Sequence, residues 1–165
     1  MKKEWFFLSL LGLLSVGLLH AEERSDRKGF FIGFDVGGGG IHLSDGSNLG
    51  AFLGGFKIGG GLNERVLLMY EDIGAVGFRG DVPTIAAGTF AVQLFVADSF
   101  YVRPGVGLGW AERDVAGGGT LSTDLGLAAG LAVGNEWRLT RRFALSPEAK
   151  FGTLRVNGGN NFSYG

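Results

Sequence analysis

The stretch His42-Leu43-Ser44-Asp45 contains the residue types that nucleophilic catalysis uses. A catalytic relay needs a base, a nucleophile and an orienting carboxylate from separate elements, because neighbours in sequence rarely converge on one reacting atom. The surrounding letters, "HLSDGSN", are also typical of turns. We therefore interpret this stretch as a loop and predict that the chain is not an enzyme.

The sequence contains no residue pattern typical of a site for a metal ion, a phosphate group or nucleic acid. The chain has two histidines and no cysteine, which is a poor ligand set for zinc. The glycine run 37–40 is not followed by a helical pattern, whereas phosphate-binding glycine loops lead into a helix. The formal net charge is −1, without the basic stripe of a nucleic-acid-binding protein. We predict no cofactor, no metal site and no nucleic-acid partner.

Seven segments alternate between bulky apolar residues and small or polar residues. The first, "FFIGFDV", places Phe30, Ile32 and Phe34 on one parity and Gly33 and Asp35 on the other. The segments are 30–41, 51–61, 65–73, 84–96, 100–111, 121–138 and 143–156. Alternation with period two predicts β-strands, and the lengths suit strands that cross a membrane. Short connections alternate with longer loops rich in Gly and Asp, which predicts an all-β, antiparallel up-and-down meander.

The composition of the second face indicates which side points inward. A water-facing strand surface would be rich in Lys, Glu and Thr, but this face is mostly Gly and Ala with isolated charges. An eight-stranded barrel is only just wide enough for its interior side chains. We therefore predict a transmembrane β-barrel whose bulky face meets lipid. A soluble lipocalin-type barrel, with the bulky face inside, is the opposite arrangement.

Nine charged residues take the inward parity in this interpretation, five acidic and four basic. Buried charges are tolerated only when they are paired and hydrogen-bonded, so mixed signs favour a closed ionic network over a selective pore. We predict a structural network in the lumen that consists of Asp35, Lys57, Glu71, Arg103, Asp124, Glu136, Arg138, Glu148 and Lys150.

The start of the chain has the pattern of a secretory signal. Lys2 and Lys3 precede an apolar run over 5–19, and Ala21 comes just before a charged segment. The run is shorter than the roughly 20 residues of a membrane-spanning helix. We predict a signal peptide over 1–21 and a barrel domain over 22–165.

Two stretches resemble the small outer-membrane β-barrel family of Gram-negative bacteria, which includes OmpA-type and OmpX-type eight-stranded barrels. "GFFIGFDVGGG" is similar to the first strand of that family, and "LGLAAGLAVGNEWRLTRRFALSPEAKFG" to its penultimate hairpin. The resemblance implies an outer-membrane location, surrounding lipid, insertion by the barrel assembly machinery and loops that bind an extracellular ligand. It implies a structural or surface-interaction role in adhesion or envelope integrity. A narrow passive pore, a lipid-modifying enzyme and a lipocalin-like carrier are the alternatives.

The strand count departs from the family, because single-chain bacterial barrels have an even number of strands. One interpretation is that the last strand is lacking, so that "NGGNNFSYG" forms a loop with at most the start of a return strand. This predicts an open seam or a much-shortened strand after Asn160. The other interpretation is a full barrel in which an eighth strand lies within 73–84 or 157–165.

Overall fold

The computed structural model describes residues 27–43, 46–78, 84–115, 119–122, 125–140, 142–156 and 161–165. These residues form an antiparallel β-sheet that closes on itself. The part of the chain described here contains no helix long and apolar enough to cross a membrane.

The described residues form eleven strands, and eight of them make up the wall of the barrel. The strands are β1 (Gly29–Leu43), β2 (Asn48–Gly61), β3 (Val66–Gly77), β4 (Thr84–Phe95), β5 (Phe100–Val115), β6 (Gly119–Ser122), β7 (Gly126–Asn135), β8 (Trp137–Arg138), β9 (Ala144–Leu145), β10 (Glu148–Arg155) and β11 (Asn161–Tyr164). The wall runs β1-β2-β3-β4-β5-β7-β10-β11, and β11 pairs again with β1. Strand β6 pairs with the last residues of β5, and β8 pairs only with β9.

The two ends of the barrel differ. The connections 62–65 and 96–99 and the β8–β9 hairpin lie at one end, called the turn end below. The connections after β1, β3, β5 and β10 lie at the other end, called the loop end. In outer-membrane barrels the short turns face the periplasm.

The register fixes how steeply the strands are inclined. Paired residues can be followed from Ile41 around the wall through Tyr164, Gly152, Gly130, Gly105, Ala91, Met69 and Gly59 to Phe31. After one full turn around the barrel the row reaches β1 again at Phe31 instead of Ile41, a register shift of ten residues. Eight strands with this stagger give a tilted barrel with a narrow interior that side chains fill.

The prediction of an antiparallel up-and-down barrel is confirmed, but the count of seven strands was one too low. The missing strand is β11, four residues long, within the segment 157–165 that was one of the two alternatives. It pairs with Ile41, His42 and Leu43 of β1 on one side and with β10 on the other. Four residues are too few to show a convincing alternation, so the sequence pattern did not distinguish β11 from a loop.

Strand β11 closes the barrel only near the loop end. Gly165 extends the pairing by exchanging two backbone hydrogen bonds with Gly40, of 2.7 and 3.1 Å. Among the described residues, none pairs with positions 29–39 of β1 on this side, or with positions 148–151 of β10. A seam therefore runs between β1 and β10 toward the turn end. The inward-facing Gly37 is exposed there, with no atom within 4 Å of the position of an added Cβ.

The outside of the wall carries the bulky face. Phe34 and Val36 are 81% and 83% exposed, while the inward Ile41 of the same strand is fully buried. Phe30, Phe90 and Leu127 are likewise exposed, at 72%, 73% and 69%. Such a surface is suited to lipid and does not fit a lipocalin-type barrel, which keeps its bulky face inside.

Candidate functional site: the interior of the barrel

The middle of the lumen holds a cluster of charged side chains around Arg103. Arg103 points inward from β5 and is 2% exposed. Its Nη2 lies 2.9 Å from Glu71 Oε1 of β3 and 2.7 Å from Glu148 Oε1 of β10, and its Nη1 donates to Gln93 Oε1 at 3.0 Å. One guanidinium therefore connects its own strand β5 to three others, β3, β4 and β10. Both terminal nitrogens of the guanidinium are paired with carboxylate or amide oxygens, whereas Nε is buried without a hydrogen-bond partner among the described residues.

Two lysines complete the cluster. Lys150 Nζ lies 2.6 Å from Glu71 Oε1, 3.1 Å from Asp35 Oδ2 and 3.3 Å from Glu148 Oε1. Lys57 Nζ lies 2.7 Å from Asp35 Oδ1 and 3.7 Å from Glu148 Oε2. The Tyr101 hydroxyl donates a 2.5 Å hydrogen bond to Glu148 Oε2.

The cluster is electrically balanced. Asp35, Glu71 and Glu148 supply three negative charges, and Lys57, Arg103 and Lys150 supply three positive charges. Each carboxylate contacts at least two of the three cations. The cluster thus meets the requirement for burying charge, which is pairing together with hydrogen bonding.

The three carboxylates also lie close enough together to suggest a metal site. Their ligand atoms lie within 4.8 Å of one another. However, Lys57, Arg103 and Lys150 occupy the space around the same oxygens at 2.6–3.7 Å. A divalent cation would have to displace three paired ammonium and guanidinium groups, so the arrangement favours an ion-pair lattice over metal coordination.

Apolar side chains fill the lumen on both sides of this cluster. Toward the loop end the buried residues are Ile41, Leu43, Ala51, Ala75, Ile85, Ala87, Ala111, Ala128, Leu154 and Val156, with Leu49, Leu53 and Phe162 packed against them. Toward the turn end they are Leu67, Met69, Ala91, Phe95 and Tyr101, with Phe31 against them. The lumen thus consists of an apolar layer, an ionic layer and a second apolar layer.

A second group of charges lies at the floor of the turn end, around Arg27. Its Nε lies 3.0 Å from Glu136 Oε1, and its guanidinium carbon lies 3.6 Å from the centre of the Phe95 ring. It also donates to the carbonyl oxygens of Glu64, at 2.9 Å, and of Asp98. Arg27 thus ties the residues before β1 to both described turns and to the end of β7.

Six of the nine residues predicted for the network lie together in the lumen: Asp35, Lys57, Glu71, Arg103, Glu148 and Lys150. Glu136 and Arg138 do not join them. They lie beyond the end of β7 and pair with each other at 3.0 Å on the floor, where the Arg138 side chain is 30% exposed. Asp124 falls outside the described residues.

Sequence reasoning did not include Arg27, Gln93 and Tyr101 among the site residues. Gln93 and Tyr101 share the inward parity of their strands, so their parity was a usable signal. Arg27 lies before the first alternating segment, where no pattern marked it. His42 points outward, and its Nδ1 lies 2.7 Å from Asn48 Oδ1. Ser44 and Asp45 are not among the described residues.

Neither a protein-family model nor a curated protein matches the chain. Two solved structures do. Neisserial surface protein A (NspA) superimposes with a TM-score of 0.70 at 14% identity, covering 82% of this chain and 91% of that one. Ail, the attachment invasion locus protein of Yersinia pestis, solved with the heparin analogue sucrose octasulfate, gives 0.52 at 15% identity, with coverages of 83% and 94%. At these identities the likeness concerns the fold, and the chain has the closed eight-stranded fold of small outer-membrane β-barrels.

Proposed function

We propose that the chain is an integral outer-membrane barrel with a structural or surface-interaction role, in adhesion or envelope integrity, and no enzymatic activity. The observation that carries this proposal is the combination of an apolar exterior with an interior filled by side chains. Such a molecule has its free surfaces at the loop end and on the outer wall. Interaction with partners therefore takes place there rather than inside.

The filled lumen argues against the passive pore. A solute would have to cross two apolar layers and displace the ionic layer between them. Removing one partner from a buried pair costs about 3–5 kcal/mol, so the cluster does not open transiently at low cost. Arg27 also occupies the floor of the turn end, bonded to two turns and to Glu136.

The surroundings of His42 argue against catalysis. A general base needs a nucleophile within hydrogen-bond reach, and the described partner of the ring is the amide of Asn48. The carboxylates of the lumen are each neutralised by at least two cations and are buried between apolar layers. The His42 ring is thus bonded to an amide, and the lumen carboxylates are out of reach of a lipid substrate.

The loop end is the proposed place of recognition. Ail was solved in complex with a heparin analogue, which is compatible with ligand binding by a barrel of this fold. By the same proposal, residues 1–21 direct export, 22–165 form the barrel domain, and the barrel assembly machinery inserts it among outer-membrane lipids.

Cell fractionation combined with gel migration tests this proposal. The protein should be found in the outer-membrane fraction, should migrate faster before boiling than after, and should give no discrete conductance in planar bilayers. Recovery in the soluble fraction would contradict insertion. Discrete conductance steps that vanish on unfolding would favour the pore. A changed lipid acylation pattern on overexpression that is lost in His42→Ala would favour the enzyme.

A further inference from the structure

Six polar side chains form a continuous patch on the outside of the wall, where other parts of the wall carry apolar residues. The register places Asn48, His42, Ser163 and Thr153 in one row across the neighbouring strands β2, β1, β11 and β10. Arg155 and its partner Asn161 lie one outward position nearer the loop end. All six are exposed, whereas their inward neighbours Ile41, Tyr164 and Leu154 are buried. We call these six residues the outer polar patch.

Apolar side chains border the patch on both sides. Leu127 of β7, the register partner of Arg155, is 69% exposed, and Phe52 of β2 is 51% exposed. Phe151, two positions before Thr153 on the same face of β10, is 59% exposed. The patch therefore lies at the upper edge of the lipid-facing band and not on a loop. Polar side chains facing hydrocarbon are costly unless they meet polar groups, so a row of them at this height fits the headgroup region better than the hydrocarbon below it.

The charge of the patch indicates which headgroup fits. Arg155 is cationic, and the ring of His42 lies in the same patch with its Nδ1 2.7 Å from Asn48 Oδ1. Among the described residues of β1, β2, β10 and β11, the two carboxylates, Asp35 and Glu148, both point into the lumen. The outer wall of these four strands is therefore free of carboxylates where it is described. Asn161 is the register partner of Arg155, and the side chains of Thr153, Ser163 and Asn48 continue the patch across β10, β11 and β2. Their hydroxyl and amide groups suit hydroxyl-bearing partners.

We propose that the outer polar patch binds the phosphorylated sugar headgroup of a glycolipid in the outer leaflet. Arg155 contacts the phosphate through charge-assisted hydrogen bonds, and the amides and hydroxyls contact the sugar. The acyl chains lie below on the apolar wall, between Phe52 and Phe151, where β1 carries only the outward glycines 38 and 40. This inference rests on the proposed insertion into the outer membrane.

The test uses the full chain in phosphatidylcholine nanodiscs with a minor fraction of a labelled phosphorylated glycolipid of the lipid A type. Folding is checked first by heat-modifiable migration, so failure to insert is distinguished from failure to bind. The wild-type barrel should retain the glycolipid after exchange into glycolipid-free nanodiscs. Arg155→Gln should weaken retention about tenfold, the size of one lost charge-assisted bond. Arg155→Lys should keep part of it, because the charge remains without the bidentate geometry.

Arg142→Gln is the matched control. It removes the same charge from an exposed position in the hairpin at the turn end and should leave retention unchanged. Thr153→Val combined with Ser163→Ala tests the sugar contacts in a second variant and should also weaken retention. Equal retention by wild type and both patch variants would overturn the proposal. Equal retention of a dephosphorylated glycolipid, or displacement by inorganic phosphate alone, would overturn the assignment to a phosphorylated glycolipid.

Discussion

Removing the positive charge of Arg103 should destabilise the barrel far more than removing a charge from its floor. The substitution Arg103→Met keeps most of the side-chain volume but takes away the guanidinium that contacts Glu71 at 2.9 Å and Glu148 at 2.7 Å. Lys150 remains near both carboxylates, so neither is left without a partner. The lumen nevertheless gains one uncompensated negative charge between two apolar layers.

The magnitude follows from burial. Breaking a buried ion pair by removing one partner costs about 3–5 kcal/mol, and Arg103 is 2% exposed. We expect a loss of about 3 kcal/mol, near the lower limit, because Lys150 and the Tyr101 hydroxyl still contact Glu148. Arg138→Met is the comparison. Its side chain is 30% exposed beside Glu136, and an ion pair of that kind contributes at most about 1 kcal/mol.

Equilibrium unfolding in urea from phosphatidylcholine vesicles measures both variants, with tryptophan fluorescence and heat-modifiable migration as independent probes. The double variant Arg103→Met with Glu71→Gln restores charge balance and should recover part of the loss, which a double-mutant cycle quantifies. Equal free energies of unfolding for Arg103→Met and Arg138→Met would refute the reasoning. So would a double variant no more stable than the sum of its two single changes predicts.

Three further predictions concern the wall, the floor and the seam. Phe34→Arg places a charge on an 81% exposed lipid-facing position and should cost about 2–4 kcal/mol in vesicle unfolding. Gly33→Arg should prevent the barrel from folding by overfilling the lumen, because even a Cβ at this position lies 2.9 Å from Lys57 Cγ. Spin labels placed at positions 33 and 34 test the orientation of the strand. Quenching by an aqueous reagent at position 34 but not at position 33 would contradict it. Arg27→Gln should cost about 1–3 kcal/mol and speed hydrogen exchange in the turns 62–65 and 96–99, and unchanged exchange there would contradict the floor contacts. A cysteine at Gly37 in this cysteine-free chain should react with a thiol reagent in the folded barrel while one at the buried Ala132 does not, and equal protection of both would contradict the seam.

The period-two pattern predicted most of the wall because inside and outside impose opposite demands. Lipid accepts Phe, Ile and Leu on one parity, and a narrow lumen accepts Gly, Ala and paired charges on the other. That parity also located six members of the ionic cluster. The third strand shows the limit of the pattern, because Leu67 and Met69 place apolar side chains inward and blur the alternation. The structure explains them as parts of the apolar layer at the turn end.

Boundaries and chain ends were harder to predict because their determinants are not periodic. The predicted segment 121–138 is longer than β7 (Gly126–Asn135), so Glu136 and Arg138 were assigned to the lumen although they lie past the strand. Their position depends on the β8–β9 hairpin and on Arg27, which is more than a hundred positions away from Glu136 in sequence. A contact of that separation leaves no local signal in the residues that make it.

The inward glycines explain how large side chains fit into so narrow a lumen. Tyr164 lies against Gly152, the Tyr101 ring lies within 2.7 Å of the position that a Cβ on Gly134 would take, and Lys57 covers Gly33 in the same way. Each of these three side chains thus occupies the space that a neighbouring strand leaves free by having no side chain. In a barrel of eight strands with a register shift of ten residues, this complementarity packs the interior as closely as the core of a globular protein. Substitutions at these inward positions should therefore alter stability, whereas the exposed positions of the outer wall leave room for other side chains.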